Sequence, residues 1–289
     1  MQAVFLLFSL FAFSASGTSK TLSSETIYLA VNQPVHDRFL AYLDGRDPLS
    51  IDTFSSPKLE RIFIDIILQK QAIAQAGCNF DIQLEVVSLY SARMQTLVKG
   101  RIGLNYDSYW LNEIENYQDD LYISQAVIRQ GEYKAGIYTS EKNQQALAVK
   151  NLSDFQNLSA ITSKEWVVDV KTLEKLQPRT LSFDPSWGSI TKLVANGWVD
   201  VMLAPFRLTP SMAYELEPKL VPIPKFYVML EGSRHFAVSK AYPDSAELFH
   251  CLEQGLSHFR ESGKLYQVYH KNIFELEQIH NWQNILEAN

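Results

Sequence analysis

A helix end, a glycine and a strand-like run occur twice in this chain, about 95 residues apart, and this pairing constrains the fold more than any other feature. The first copy is Gln95-Thr96-Leu97-Val98-Lys99-Gly100-Arg101-Ile102-Gly103-Leu104. The second is Thr191-Lys192-Leu193-Val194-Ala195-Asn196-Gly197-Trp198-Val199-Asp200-Val201-Met202-Leu203. In each, a Leu-Val pair offers a helix face to a core. The glycine can adopt the left-handed conformation that returns the chain to a sheet. The copies are one residue out of step, which predicts two lobes of similar construction and not a tandem repeat. Strand-like and helix-like patterns alternate elsewhere too, the signature of an α/β fold.

Residues 27–31 (IYLAV) form a short apolar strand pattern, followed by a polar, Pro-punctuated stretch over residues 32–56 that reads as a long loop. Ser56 and Pro57 then suit a helix start. Leu59, Ile62, Phe63, Ile66, Ile67, Ile73 and Ala74 recur at helical spacing up to Gly77. Residues 80–89 alternate as a strand. Residues 133–139 (YKAGIYT) and 226–230 (FYVML) read as strands that cross between lobes, with crossings near 136–142 and 222–230. That assigns 25–138 with 227–289 to one lobe and 139–226 to the other. Leu248, Cys251, Leu252, Leu256 and Phe259 mark one helix, closed by Gly263. Leu276, Ile279, Trp282 and Leu286 mark a last one.

There are 26 Lys and Arg against 32 acidic residues, a formal net charge of -6, and no basic block, so nucleic acid is excluded as an expected partner. Residues 3–13 (AVFLLFSLFAF) are uncharged, apolar and too short to span a bilayer. Ser14, Ala15, Ser16 and Gly17 follow, so residues 1–17 read as a secretory signal peptide. The mature protein is then expected to start near Gly17 or Thr18, in the periplasm. Cys78 and Cys251 are the only cysteines. An oxidising compartment permits one bridge between them; two small buried thiols are the other reading. No metal-ligand spacing occurs, and no G-x-S-x-G, H-E-x-x-H, P-loop or G-x-G-x-x-G motif, so neither cofactor nor catalysis is expected.

Several pieces in order resemble a type II periplasmic solute-binding protein of the amino-acid-binding kind, the substrate-binding component of ABC transporters. They are Leu97-Val98-Lys99-Gly100; Asn151-Leu152-Ser153-Asp154-Phe155 through Ile161; Val194 to Asp200; and His235-Phe236-Ala237-Val238-Ser239-Lys240 with Pro243-Asp244. The resemblance runs from Thr26 to about Phe274. It implies two α/β lobes with the ligand in the cleft between them. It also implies capture of a small polar ligand by closure of a monomer, and delivery to a membrane permease. A membrane receptor is the alternative partner, and a dehydratase on the same fold the enzymatic alternative. The chain departs from the family pattern in three places. Asn157 replaces a glycine, no Arg follows Asn105, and no acidic residue follows the strand after Asp200.

Ligands of open α/β sheets bind beyond the carboxyl ends of strands, so residues at those points are the candidates. Asn32 and Gln33 follow the first strand, Tyr90 the second, Asn105 and Tyr106 the third. In the second lobe Ser163 and Trp166 open a helix whose N–H groups suit an anion. Arg207 follows a strand and would favour an acidic ligand. Six have a plainer reading: turn residues for Asn32 and Gln33, a surface ring for Tyr90, an N-cap for Ser163, core for Trp166, a solvated loop for Arg207.

Overall fold

The computed structural model describes residues 25–54, 56–87 and 90–288, with only the backbone described at 90–92. The expected signal peptide and mature start lie outside the described residues.

Strand β1 (Glu25–Val31) leads into helix α1 (Gln33–Leu43), which falls inside the stretch that the sequence reading took for loop. Asn32 caps it, its Oδ1 accepting the Val35 N–H at 2.8 Å, with Pro34 in the first turn. Val35, Phe39, Tyr42 and Leu43 bury one face. Its exposed side mixes polar residues with Leu40 and Ala41, which blurs the helical period. Helix α2 (Arg61–Gln75) begins four residues after the expected proline, with Glu60 in the capping position. It is buried on most sides, and its run of Phe63, Ile64, Ile66 and Ile67 is interrupted by one carboxylate, Asp65. Strand β2 (Phe80–Val86), helix α3 (Tyr90–Val98) and strand β3 (Leu104–Asn105) complete a parallel sheet of order β2-β1-β3. Leu29 stands opposite both Leu84 and Leu104 there. Next come β4 (Tyr109–Trp110), α4 (Leu111–Ile114) and β5 (Leu121–Ile128).

The chain then enters a second sheet through β6 (Tyr133–Ser140). Helices α5 (Gln144–Leu147) and α6 (Leu152–Phe155) precede β7 (Ser159–Thr162), α7 (Val167–Leu176), β8 (Thr180–Phe183), α8 (Trp187–Ala195) and β9 (Val201–Ala204). The long β10 (Leu220–Leu230) pairs antiparallel with β6 and carries the chain back. Strand β11 (Arg234–Ser239) then joins the first lobe, antiparallel to β4 and β5. The Ser239 N–H donates to the Gly103 carbonyl at 3.2 Å, linking the two small sheets of that lobe. Helices α9 (Ser245–Glu261) and α10 (Lys264–Tyr269) follow. The last strand, β12 (Gln283–Asn284), pairs with β10 in the second sheet.

The two lobes share one plan. In the first, β1 lies between parallel neighbours β2 and β3; in the second, β7 lies between β8 and β9. Each meets an antiparallel strand from another part of the chain: β6 pairs with β9 in the second sheet, and β11, in its own small sheet, bonds to the first through Ser239 and Gly103. Gly100 and Gly197, at φ +67 and +73, make the expected left-handed turns at corresponding places. The sheets change over at residues 129–132 and 231–233, outside the expected windows, because β6 and β10 run their full length in the second sheet. The C-terminal reading is corrected as well. Leu276 to Leu286 is not a helix but short turns around β12, with Ile279 buried and Trp282 packed in the second lobe's core.

Cys78 and Cys251 form a disulfide, 6.2 Å between Cα atoms, where the buried-thiol reading had two free cysteines. Sequence could not show that distance, which depends on how closely α9 lies against α2. Closeness comes from Gly255: a Cβ there would sit 1.9 Å from the Ala72 carbonyl oxygen.

Candidate functional site

A cavity of about 240 Å³ lies between the lobes. That is below the roughly 300–1,000 Å³ of pockets for drug-sized ligands and suits a small metabolite. The first lobe contributes Arg61, Asp107, Trp110, Glu113 and Arg234. The second contributes Trp166, Asp169 and Trp187, and Tyr133 and Leu230 come from the strands nearest the changeover.

The first-lobe wall is a buried charge network. Arg61, at the start of α2, donates to Asp65 one turn on, and from Nη2 to Asp107 Oδ1 at 2.5 Å. Arg234, the first residue of β11, donates from Nη2 to the same Asp107 oxygen at 2.9 Å. Its Nε reaches the Ser108 hydroxyl at 2.9 Å. Its guanidinium lies 4.7 Å from the Trp110 ring centre. Asp65 is fully buried. It accepts the Ser108 N–H at 2.8 Å, the Ser108 O–H at 2.7 Å and the Tyr269 O–H at 2.6 Å. Burial pushes the Asp107 carboxyl up, but the Arg61 and Arg234 charges outweigh it and hold the group below its ordinary value. Two guanidinium groups and two carboxylates therefore neutralise one another, and their shared hydrogen bonds fix the wall's shape.

The second-lobe wall is aromatic and acidic. Trp166 caps α7 and its ring centre lies 5.9 Å from that of Trp187, near the start of α8. Asp169 sits in the first turn of α7. Its carboxyl is raised to about 7, first by burial and then by the Glu113 charge across the cleft, which Arg234 only partly offsets. Outside the cavity, Arg207 Nη1 meets Glu60 Oε1 at 3.4 Å, an ion pair from one lobe to the other.

Of the seven candidate residues whose side chains are described, Trp166 lines the cavity and the other six do not. Asn32 is used as the cap of α1, and its Nδ2 donates to the Tyr106 O–H at 3.3 Å. Gln33 is exposed and bonds Asp37 within the same helix. The Tyr90 side chain lies outside the described residues. Asn105 is buried and donates to the Tyr109 hydroxyl at 2.6 Å. Tyr106 is buried under Arg93, and burial pushes its hydroxyl up to about 12. Ser163 is buried too, its Oγ accepting the Glu165 N–H at 3.2 Å, and α7 begins only at Val167. Trp166 at its N-cap and Asp169 in its first turn line the cavity, so the start of α7 fronts the cleft although Ser163 does not. Arg207 is taken up by Glu60 and lies 5.5 Å from the Tyr214 ring centre. Neither Arg207 nor Ser163 lines this cavity. Arg61, Arg234, Glu113 and Asp169 were missed. One signal did exist for the first: an Arg and an Asp four residues apart in an otherwise apolar helix.

No protein-family model matches the chain, and no curated protein matches it in sequence. Its fold does match solved structures. A probable amino-acid ABC transporter extracellular-binding protein of Bacillus subtilis is 13% identical, with a TM-score of 0.57, covering 88% of this chain and all of that one. The periplasmic VFT2 domain of BvgS from Bordetella pertussis is 13% identical at a TM-score of 0.55, covering 86% and 93%. An ancestral amino-acid-binding protein described as a precursor of cyclohexadienyl dehydratase is 13% identical at 0.51, covering 86% and 94%. The chain has the two-lobed fold of the type II periplasmic binding proteins.

Proposed function

We propose that this chain is a periplasmic solute-binding protein that takes a small polar ligand into the interlobe cavity and closes over it, then presents it to a membrane permease. One observation carries the reading: the cavity is walled by both lobes, so its contents are enclosed only when the lobes meet. The similarity in fold to a transporter's extracellular binding protein supports it. A thermal-shift screen of amino acids, amines, organic acids and sugars, followed by solution scattering with any hit, tests it. At a hundredfold excess over Kd a ligand stabilises by about 2.7 kcal/mol, and the scattering radius should shrink. A hit that leaves the radius unchanged, or no hit in any class, removes the proposal.

A second reading, catalysis on the same fold, has one observation in its favour. Asp169, raised to about 7, could hold or give up a proton near neutral pH in an enclosed site. Conversion of a bound compound that is lost in Asp169→Asn would favour it; a ligand recovered unchanged would not.

A further inference from the structure

The two walls of the cavity differ in chemistry. Arg61, Asp107, Glu113 and Arg234 make the first-lobe side charged. On the second-lobe side Asp169 is the one charged residue, beside Trp166, Trp187 and, at the carboxyl end of β9, the apolar run from Leu203 to Pro205. The Trp166 and Trp187 rings are inclined at 51° with centres 5.9 Å apart, so two indole planes form a corner. Tyr214 lies 5.6 Å from Trp187 in turn. Trp187 is still 39% exposed, although its wall faces the other lobe. Covering the rest of that ring with an apolar ligand surface is favourable.

Two polar groups at the same cavity are incompletely used. Arg234 donates from Nε and Nη2 to Ser108 and Asp107, while its Nη1 bonds no described residue and is not sealed from solvent. Asp169 feels the Arg234 charge across the cleft, yet makes no ion pair or hydrogen bond with any described residue. The volume sets the size of what fits. An apolar cavity of about 150 Å³ holds benzene, so one of about 240 Å³ holds a ring with its substituent. A sugar would find hydrogen-bonding side chains mainly on one wall, and an aliphatic chain would cover two indole planes less completely than a flat ring.

We propose that the ligand is a small planar aromatic compound, whose ring lies in the corner of Trp166 and Trp187 and whose polar substituent bridges Arg234 and Asp169. This rests on the solute-binding reading above and specifies its substrate class. The second lobe holds the ring and the substituent reaches the first, so the ligand docks on the second lobe and draws the first over it.

Calorimetry on the full chain tests this with matched pairs: benzamide against cyclohexanecarboxamide, benzoate against cyclohexanecarboxylate, and phenylalanine against cyclohexylalanine. Glucose and tetramethylammonium serve as compounds with no aromatic ring. At least one aromatic member should bind, about fivefold or more tightly than its saturated partner. Trp166→Leu and Trp187→Leu should each weaken that binding several-fold. Trp198→Leu, which alters a ring 79% exposed and outside the cavity, should not. The matched pairs need no variant, so they decide even where a substitution prevents folding. A saturated partner that binds as tightly, binding confined to glucose or tetramethylammonium, silence from all eight compounds, or unchanged affinity in both cavity variants overturns the aromatic assignment. Each of these leaves the solute-binding reading standing. Silence from the wider screen as well overturns both.

Discussion

Both lobes contain the same small clasp, an aspartate that accepts the N–H and the O–H of one serine. In the first lobe Asp65 takes Ser108, at 2.8 and 2.7 Å; in the second Asp200 takes Ser159, also at 2.8 and 2.7 Å. Their positions differ. Ser108 follows β3 at its carboxyl end, beside Asp107 and the cavity. Ser159 is the first residue of β7 and Asp200 precedes β9, at the amino ends of two interior strands. Asp65 is fully buried with Arg61 and Tyr269 added, whereas Asp200 is partly exposed. The same bonds thus shape a cavity wall in one lobe and tie strand ends in the other. Which end of the strands they occupy decides.

Asp65→Ala should break this comparison hardest. It leaves Arg61 buried with half its charge partners gone, at a cost of about 3–5 kcal/mol. Urea denaturation reads it directly, and a loss under about 1 kcal/mol would mean that water replaces the carboxylate. Replacing both cysteines by serine should cost about 2–4 kcal/mol, because the bridge spans 173 residues of sequence. Amide exchange should then quicken in α2 and α9 and stay unchanged in β7 to β9. Equal quickening in both lobes would show that they share one cooperative unit.

Asp200→Asn should cost less, about 1 kcal/mol, since the serine bonds survive in weaker form. Burial raises the Asp200 carboxyl, but the Ser159 and Asn143 bonds prevail and lower it. Its contribution is present above the unfolded carboxyl value of about 3.9 and lost as pH falls through the lower folded value. The variant and the parent should therefore converge in stability in acid. The smallest effect belongs to the pair between the lobes: Arg207→Ala should change stability by less than about 1 kcal/mol. Glu60 keeps its bond to Arg38 in that variant.

Much of the fold could be read from sequence. The paired helix-glycine-strand units, the strands at 133–139 and 226–230, and the apolar face of α9 all lie where periodicity put them. Those signals are local. The site was far less legible, because its walls come from α2, the β3–β4 turn, β11 and α7, which are distant in sequence. Asn105 and Tyr106 show why the rule for strand ends was too coarse. They do follow β3, but both point into the protein, while Asp107, one residue on, reaches the cavity. Arg207 misled for the opposite reason. Its partner, Glu60, lies on the other lobe, and no pattern in one chain segment records that meeting.

The antiparallel additions to each sheet carry a consequence for how the protein is made. Neither lobe is a continuous stretch of chain. The ribosome delivers β1 to β5 long before β11, the strand between β4 and β5 that also joins them to β3. The second sheet likewise waits for β12 and for Ile279 and Trp282, which fill its core from beyond α10. Lobe-by-lobe folding during synthesis, the common course for multidomain chains, is therefore closed to this one. Until those late segments arrive, β5 and β10 each present an open strand edge, and a nascent chain with two such edges depends on whatever keeps it apart from its neighbours.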